Sequence, residues 1–149
     1  YFLKELLQKS QNVKFDIYGL NKVQPIWADH YFKTIANAKM GLNLSRGDAI
    51  KYYSSDRITQ IIGNGLACLI DEKTEYRDFF NDNEMVFYKN LNDLSEKILK
   101  IAQDEKLRKS IAEKGKDKYM KYFNSSLVAE FIIKKTLNIT SKNKFFWES

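Results

Sequence analysis

The chain has 149 residues, of which 44% are hydrophobic and 30% charged, and a formal net charge of +6. This balance excludes a disordered chain, and no apolar run approaches the roughly 18 residues that a membrane helix needs. One cysteine, Cys68, and one histidine, His30, exclude a disulfide framework and make a clustered metal site a poor hypothesis. We predict that Cys68 is a buried thiol, and we expect neither a metal nor a cofactor.

The excess positive charge lies in the C-terminal part of the chain. There are 11 basic and 11 acidic residues up to Tyr88, and 14 basic and 8 acidic residues from Lys89 onward. The basic residues there are nearly all lysines, and Asp and Glu alternate with them at helical spacing. A solvated helix surface explains this pattern more simply than a nucleic-acid interface, so we expect no nucleic-acid partner.

Strands and helices alternate through the first two thirds of the chain. Apolar residues at helical spacing predict a helix over residues 1–10, and the alternation over residues 13–18 predicts a strand. The continuous apolar run at 66–70 is typical of a strand that is covered on both faces. The other elements predicted in this part are a helix over 29–38 that Asp29 caps, a strand over 40–44, a helix from Ser55 or Asp56 to Ile62, a short helix over 74–80 and a strand over 85–88.

Only helices are predicted in the last third. Asn92 is the predicted cap of the first of them, a second helix spans about 107–119, and Asn124 caps the last. We expect the aromatic cluster 145–147 to dock on another surface rather than to lie in solvent, and packing against this same domain is the plainest alternative. The whole pattern predicts an α/β fold, a Rossmann-like parallel sheet flanked by helices with a helical C-terminal end. We predict one domain over 1–149, with its sheet part at about 1–88, a mainly helical part at about 89–140 and a tail at 141–149.

Ligands of an open parallel sheet bind outside the carboxyl ends of its strands. The predicted strands place segments 19–22, 45–48 and 54–57 there. Arg46 and Arg57 are two of only four arginines, and a guanidinium holds a diphosphate through two parallel hydrogen bonds. A helix that starts near residue 55 adds backbone N–H groups that favour a phosphate. The alternative is that either arginine forms a surface ion pair with a local carboxylate, Asp48 or Asp56.

Other catalytic classes lack their sequence signatures. No P-loop is present, and no Gly-x-Gly-x-x-Gly follows a strand, which argues against a P-loop NTPase and a nicotinamide dehydrogenase. His30 and Cys68 lie in different segments, and nothing in the sequence supports a catalytic triad.

An ordered series of short motifs runs from residue 39 to residue 123. The series consists of Asn43-Leu44-Ser45 at a strand end, a helix with Arg57, Gln60, Gly63 and Gly65 spaced as Arg-x-x-Glu-x-x-Ala-x-Gly, the apolar strand 66–70, the acidic turn and strand 79–88, Asp93-Leu94 with Lys97-Ile98, and the segment 106–115. In this order it resembles the C-terminal domain of GT-B glycosyltransferases of the group 1 family. Two positions depart from the family, because Gln60 stands in place of a Glu and Tyr52 in place of a second Glu found in many relatives.

The resemblance implies the nucleotide-sugar-binding half of an enzyme that transfers a sugar from a nucleotide diphosphate sugar to an acceptor. It implies that Arg57 and Arg46 are catalytic and stabilise the leaving diphosphate. Gln60 would hold the ribose, and Gly19 and Asn21 would line the base or phosphate side of the cleft. The nucleotide-sugar site would be completed by Asn43, Ser45, Ser54 and Ser55.

The resemblance also implies a partner domain, an N-terminal acceptor domain outside this chain, and a role in cell-surface polysaccharide biosynthesis in the cytoplasm. We therefore expect this chain to bind the donor weakly and not to turn it over alone. A non-catalytic nucleotide- or sugar-binding module is the main alternative. A basic interaction surface is the third interpretation. In its membrane form the aromatic cluster 145–147, beside Lys142 and Lys144, associates with the inner face of a membrane.

Overall fold

A three-stranded parallel sheet with the strand order β1-β2-β3 forms the centre of the chain. The computed structural model describes residues 1–20, 22–44, 47–53, 55–140 and 144–148. Its helices and strands are α1 (Phe2–Lys9), α2 (Ala28–Asn37), β1 (Met40–Asn43), α3 (Arg57–Gly63), β2 (Ala67–Asp71), β3 (Val86–Tyr88), α4 (Leu91–Gln103), α5 (Glu105–Tyr122) and α6 (Ser125–Thr136). Helices flank the sheet and form the C-terminal stretch, which confirms the predicted Rossmann-like α/β fold.

The central strand β2 separates two hydrophobic clusters. Ala67 and Leu69 belong to one cluster, with side chains from α1, α4 and α5, whereas Cys68 and Ile70 belong to the other, with side chains from α3. Successive side chains of a strand point to opposite faces, so a strand between two clusters needs apolar residues at every position. This explains why the apolar run predicted as a strand over 66–70 forms β2.

Gly41 brings α3 directly onto β1. A Cβ atom built on Gly41 would lie 2.5 Å from Cγ1 of Ile61 and 2.9 Å from its Cγ2. The β-branched Ile61 side chain is buried and cannot easily turn away. The missing side chain at Gly41 therefore sets how closely α3 approaches the strand that leads to the candidate site.

Two predicted elements are wrong. Residues 14–18 are in no strand. Val13 and Phe15 nevertheless pack against the first cluster, while Lys14 and Asp16 are exposed. The alternating sequence therefore reflects alternate burial and not pairing with a neighbouring strand. The helix predicted over 74–80 is replaced by two 3-10 turns, Glu72–Thr74 and Tyr76–Asp78. Between them Glu75 has a φ of 56°, a left-handed conformation that a continuous helix does not permit.

Two of the predicted helix caps are also corrected. The N-cap of α4 is Asn90 rather than Asn92, since the Asn90 side chain accepts a hydrogen bond from the Asp93 amide. Helix α2 begins after Trp27, which makes no side-chain cap, so Asp29 lies inside its first turn. The predicted Asn124 cap of α6 is confirmed, because its side chain accepts from the Leu127 amide.

The aromatic tail docks on a protein surface, as predicted, and that surface belongs to its own chain. Phe146 stacks on Tyr122 with 4.5 Å between ring centroids, and Trp147 lies 5.8 Å from Phe123 and 5.6 Å from Phe131. Aromatic pairs at such distances add stabilisation beyond the area that they bury. The tail thus joins the end of α5 to α6.

We expect Cys68 to resist thiol reagents in the folded protein. Its side chain is buried, as predicted, and burial raises its pKa from 9.0 to about 12. The thiolate is the reactive form, so Ellman's reagent at pH 8 should modify Cys68 only after denaturant is added. Because the pKa is raised in the folded state, the contribution of Cys68 to stability is complete below pH 9 and is lost as the pH rises toward 12. Rapid labelling of the native protein at pH 8 would contradict this burial.

Candidate functional site

The carboxyl ends of the three parallel strands, at Asn43, Asp71 and Tyr88, lie on the same side of the sheet. We call this side, together with the described loop residues that follow β1 and β2, the carboxyl edge. Helix α3 also begins there, because it follows the loop after β1. In open parallel sheets this is the side at which ligands bind.

Two hydrogen bonds join the end of β1 to the start of α3. Nη1 of the exposed Arg57 donates to the Leu44 carbonyl at 2.8 Å, and the Ser55 hydroxyl donates to Oδ1 of Asn43 at 3.4 Å. Asn43 is only 3% exposed, so its side chain forms its hydrogen bond with the loop and not with solvent. These bonds bring three of the predicted site residues, Asn43, Ser55 and Arg57, into one group.

The remaining predicted site residues differ in position. Gln60 is half-buried and follows Arg57 by three positions, so the two are neighbours on the surface of α3. Gly19 forms its own turn, with a φ of 74° and an N–H that donates to the Val23 carbonyl. The other predicted site residues lie outside the described part of the chain: Asn21, Ser45, Arg46 and Ser54.

Sequence reasoning missed the role of Tyr52 at the carboxyl edge. The Tyr52 amide donates to the Thr74 carbonyl at 2.8 Å, its hydroxyl donates to the Asp78 carboxylate, and its ring lies 5.0 Å from that of Phe79. The hydrogen bond to Asp78 raises the pKa of the Tyr52 phenol. Tyr52 thus ties the loop after β1 to the turns after β2. In the sequence, Tyr52 is marked only by standing where the resemblance to GT-B glycosyltransferases implies a Glu.

Two cations near the carboxyl edge are neutralised by carboxylates. Lys51 pairs with Glu75, and this hydrogen bond raises the pKa of the Lys51 ammonium. Arg77 forms two hydrogen bonds to Asp82 at 2.9 and 3.0 Å, which lowers the pKa of the Asp82 carboxyl.

Arg57 differs from these cations. In the described residues no ion pair joins Arg57 to Asp48 or Asp56, so the predicted alternative of a surface ion pair does not form for Arg57. Its bonded partner is a neutral carbonyl. A guanidinium has five N–H donors, so a single carbonyl partner leaves both charge and donors for an anionic ligand.

The sequence pattern of the glycosyl transferase-like family matches residues 1–134. The chain belongs to this family. The match spans both hydrophobic clusters and the carboxyl edge, and it confirms the predicted kinship with glycosyltransferases. A comparison with curated protein sequences gave no match.

In the part of the chain that the structure describes, no three His, Cys, Asp or Glu side chains are grouped as a metal site requires. Within the same residues, every helix is too short or too polar to cross a membrane.

Proposed function

We propose that this chain is the donor-binding domain of a glycosyltransferase of the GT-B architecture, which transfers a sugar from a nucleotide diphosphate sugar to an acceptor. The family membership supports glycosyl transfer in general. The observation that favours a diphosphate donor is Arg57, which is exposed at the carboxyl edge, held by the Leu44 carbonyl and unpaired with any described carboxylate.

In the proposed reaction the bond between the anomeric carbon and the diphosphate oxygen breaks, and its electron pair stays on the diphosphate. The acceptor hydroxyl forms the new bond to the anomeric carbon and loses its proton to a base. Negative charge therefore grows on the leaving diphosphate, and a fixed cation at that position lowers the barrier. We assign this role to Arg57, together with Arg46.

The other predicted residues take binding roles in the same proposal. Gln60, one helical turn from Arg57, holds the ribose through its amide, and Gly19 and Asn21 line the base or phosphate side. Asn43, Ser45, Ser54 and Ser55 shape the loop around the diphosphate. We further propose that the acceptor site and the base belong to a separate N-terminal domain, so that this chain alone binds a donor without transferring its sugar.

The proposal is tested by calorimetric titration of the chain with UDP, GDP and ADP. We expect one of the three to bind in the micromolar to millimolar range. If none binds at millimolar concentration, the donor-binding function is wrong. Transferase activity measured with this chain alone would instead contradict the assignment of the base and acceptor site to another domain.

A non-catalytic nucleotide-binding module is the second candidate, and the neutral Gln60 in place of the family's Glu favours it. Gln60→Glu is expected to tighten nucleotide binding by about 5-fold, because a hydrogen bond from a ribose hydroxyl to a carboxylate is roughly twice as strong as one to an amide. Gln103→Glu, at the exposed end of α4, is the control for the added negative charge. Equal dissociation constants for the wild type and Gln60→Glu would contradict the ribose contact.

A further inference from the structure

We propose that Tyr52 is a positioning residue for the donor site, which it serves by anchoring the loop between β1 and α3 to the turns after β2. This inference rests on the proposed function, because it assigns the loop to diphosphate binding. It goes beyond that function by giving a role to a residue that would not itself touch the donor.

The backbone, the hydroxyl and the ring of Tyr52 all contact one short segment, residues 74–79. Its N–H donates to the Thr74 carbonyl at 2.8 Å, and its own carbonyl accepts from the Tyr76 hydroxyl at 3.3 Å. Its hydroxyl donates to Asp78, and its ring packs on Phe79. Four separate groups of one residue thus hold the loop to the same neighbouring segment.

The backbone of Tyr52 indicates that these contacts determine its conformation. Its φ is 58°, in the left-handed region that a residue with a Cβ rarely adopts. Nothing local to the sequence favours this conformation, since no glycine or asparagine stands at position 52. A strained residue persists where its surroundings over-determine it, and here the surroundings are the turns after β2.

The anchored loop is the one that leads to the candidate diphosphate site. It leaves β1 at Asn43 and reaches α3 at Arg57, and Tyr52 holds it between these two ends. Lys51 adds an ion pair to Glu75 in the same segment. A residue that is held in place before a ligand binds costs less conformational entropy on binding, so anchoring the loop at Tyr52 increases affinity.

Removing the anchor should therefore weaken nucleotide binding more than it weakens the fold. Tyr52→Ala is expected to raise the dissociation constant of the bound nucleoside diphosphate by about 10-fold, and Tyr52→Phe, which keeps the ring on Phe79, by about 3-fold. Tyr53→Ala is the matched control, because Tyr53 is the next residue, is also exposed and makes no ring contact in the described part of the chain.

The experiment is a calorimetric titration of the full chain and these variants with UDP, GDP and ADP, and with the corresponding nucleoside monophosphates. Tyr52→Phe, Asp78→Ala and the double variant form a mutant cycle on the dissociation constant, and thermal unfolding of each variant is recorded alongside. We expect the Tyr52 variants to lose much of the preference for diphosphate over monophosphate, and we expect the two single effects to be non-additive.

The possible failures are distinguishable. If the wild type binds a nucleoside diphosphate and the Tyr52 variants bind it equally well, the positioning role is wrong while the donor site stands. If the Tyr52 variants lose stability and bind both phosphates proportionally less well, Tyr52 is merely structural and the inference is overturned. If the wild type binds none of the three diphosphates, the proposed function and the positioning role both fail.

Discussion

Gly115→Ala is expected to lower the free energy of unfolding by about 2–3 kcal/mol, the upper range for overpacking a well-filled interior. A Cβ built on Gly115, in the middle of α5, would lie 2.3 Å from the backbone carbonyl oxygen of Glu84. That carbonyl cannot easily move, because the Glu84 carboxylate is bonded to Lys118 at 2.8 Å and to the Asn81 amide at 2.9 Å.

The sign of the change in unfolding free energy shows whether packing or helix propensity dominates at position 115. Alanine is a better helix former than glycine by about 1 kcal/mol, so propensity alone predicts that Gly115→Ala stabilises the protein. Gly63→Ala is the control, since Gly63 is also helical but the nearest atom to its added Cβ is Cε of Met120, at 3.8 Å. Urea unfolding should show a lower free energy of unfolding for Gly115→Ala and no decrease for Gly63→Ala. A Gly115→Ala variant as stable as the wild type would contradict the close approach of α5 to the turn before β3.

Arg57→Ala is expected to weaken nucleoside diphosphate binding by about 10- to 100-fold. Hydrogen bonds to charged groups contribute about 1.5–3 kcal/mol, and Arg57 is the described cation of the carboxyl edge whose partner is a neutral carbonyl. Arg57→Lys keeps the charge but loses the planar fork that holds two oxygens, so it should recover only part of the affinity.

Lys100→Ala is the control for Arg57→Ala. It removes one positive charge from the exposed last turn of α4, whose first turn follows β3 at the carboxyl edge, so Lys100 lies about 14 Å along the helix axis from that edge. Calorimetry should show near wild-type affinity for Lys100→Ala. Equal losses in the two variants would mean that net charge, rather than Arg57 at the carboxyl edge, determines binding.

Much of the fold was predictable because burial leaves a direct trace in the sequence. The apolar run of β2 follows from burial of both faces of the strand. The spacing of Ile58, Ile61 and Ile62 follows from burial of one face of α3. The segment 13–18 shows the limit of this reasoning. Its alternation reflects alternate burial, and alternate burial does not require a hydrogen-bonded neighbour.

Hydrogen bonds from polar side chains to nearby backbone amides explain two other errors in the predicted elements. The Asp71 side chain accepts from the Lys73 amide and starts the 3-10 turn Glu72–Thr74, which ends at the residue that was predicted to open a helix over 74–80. At the start of α4, Asn90 and Asn92 are both good caps by composition. Asn90 is selected because Asp93 bonds back to the Lys89 amide, which places the helix start two residues earlier.

Only those residues of the candidate site that follow a strand end or open a helix in the chain could be predicted from the sequence. The rule that ligands bind at the carboxyl ends of parallel strands was enough to nominate Arg57 and Ser55 beside Asn43. Tyr52 could not be found in this way. Its partners Thr74, Asp78 and Phe79 are more than 20 positions away in the sequence, and no local pattern marks such a tertiary contact.

Amide chemical-shift mapping by NMR tests the donor site most directly, and the chain is small enough for it at 17.6 kDa. The labelled wild-type chain is titrated with the nucleoside diphosphate that binds most tightly. We expect the largest shifts at the amides of Leu44 and 57–60, with little change in α6. Shifts confined to other surfaces, or no shifts at millimolar nucleotide, would contradict a donor site at the carboxyl edge.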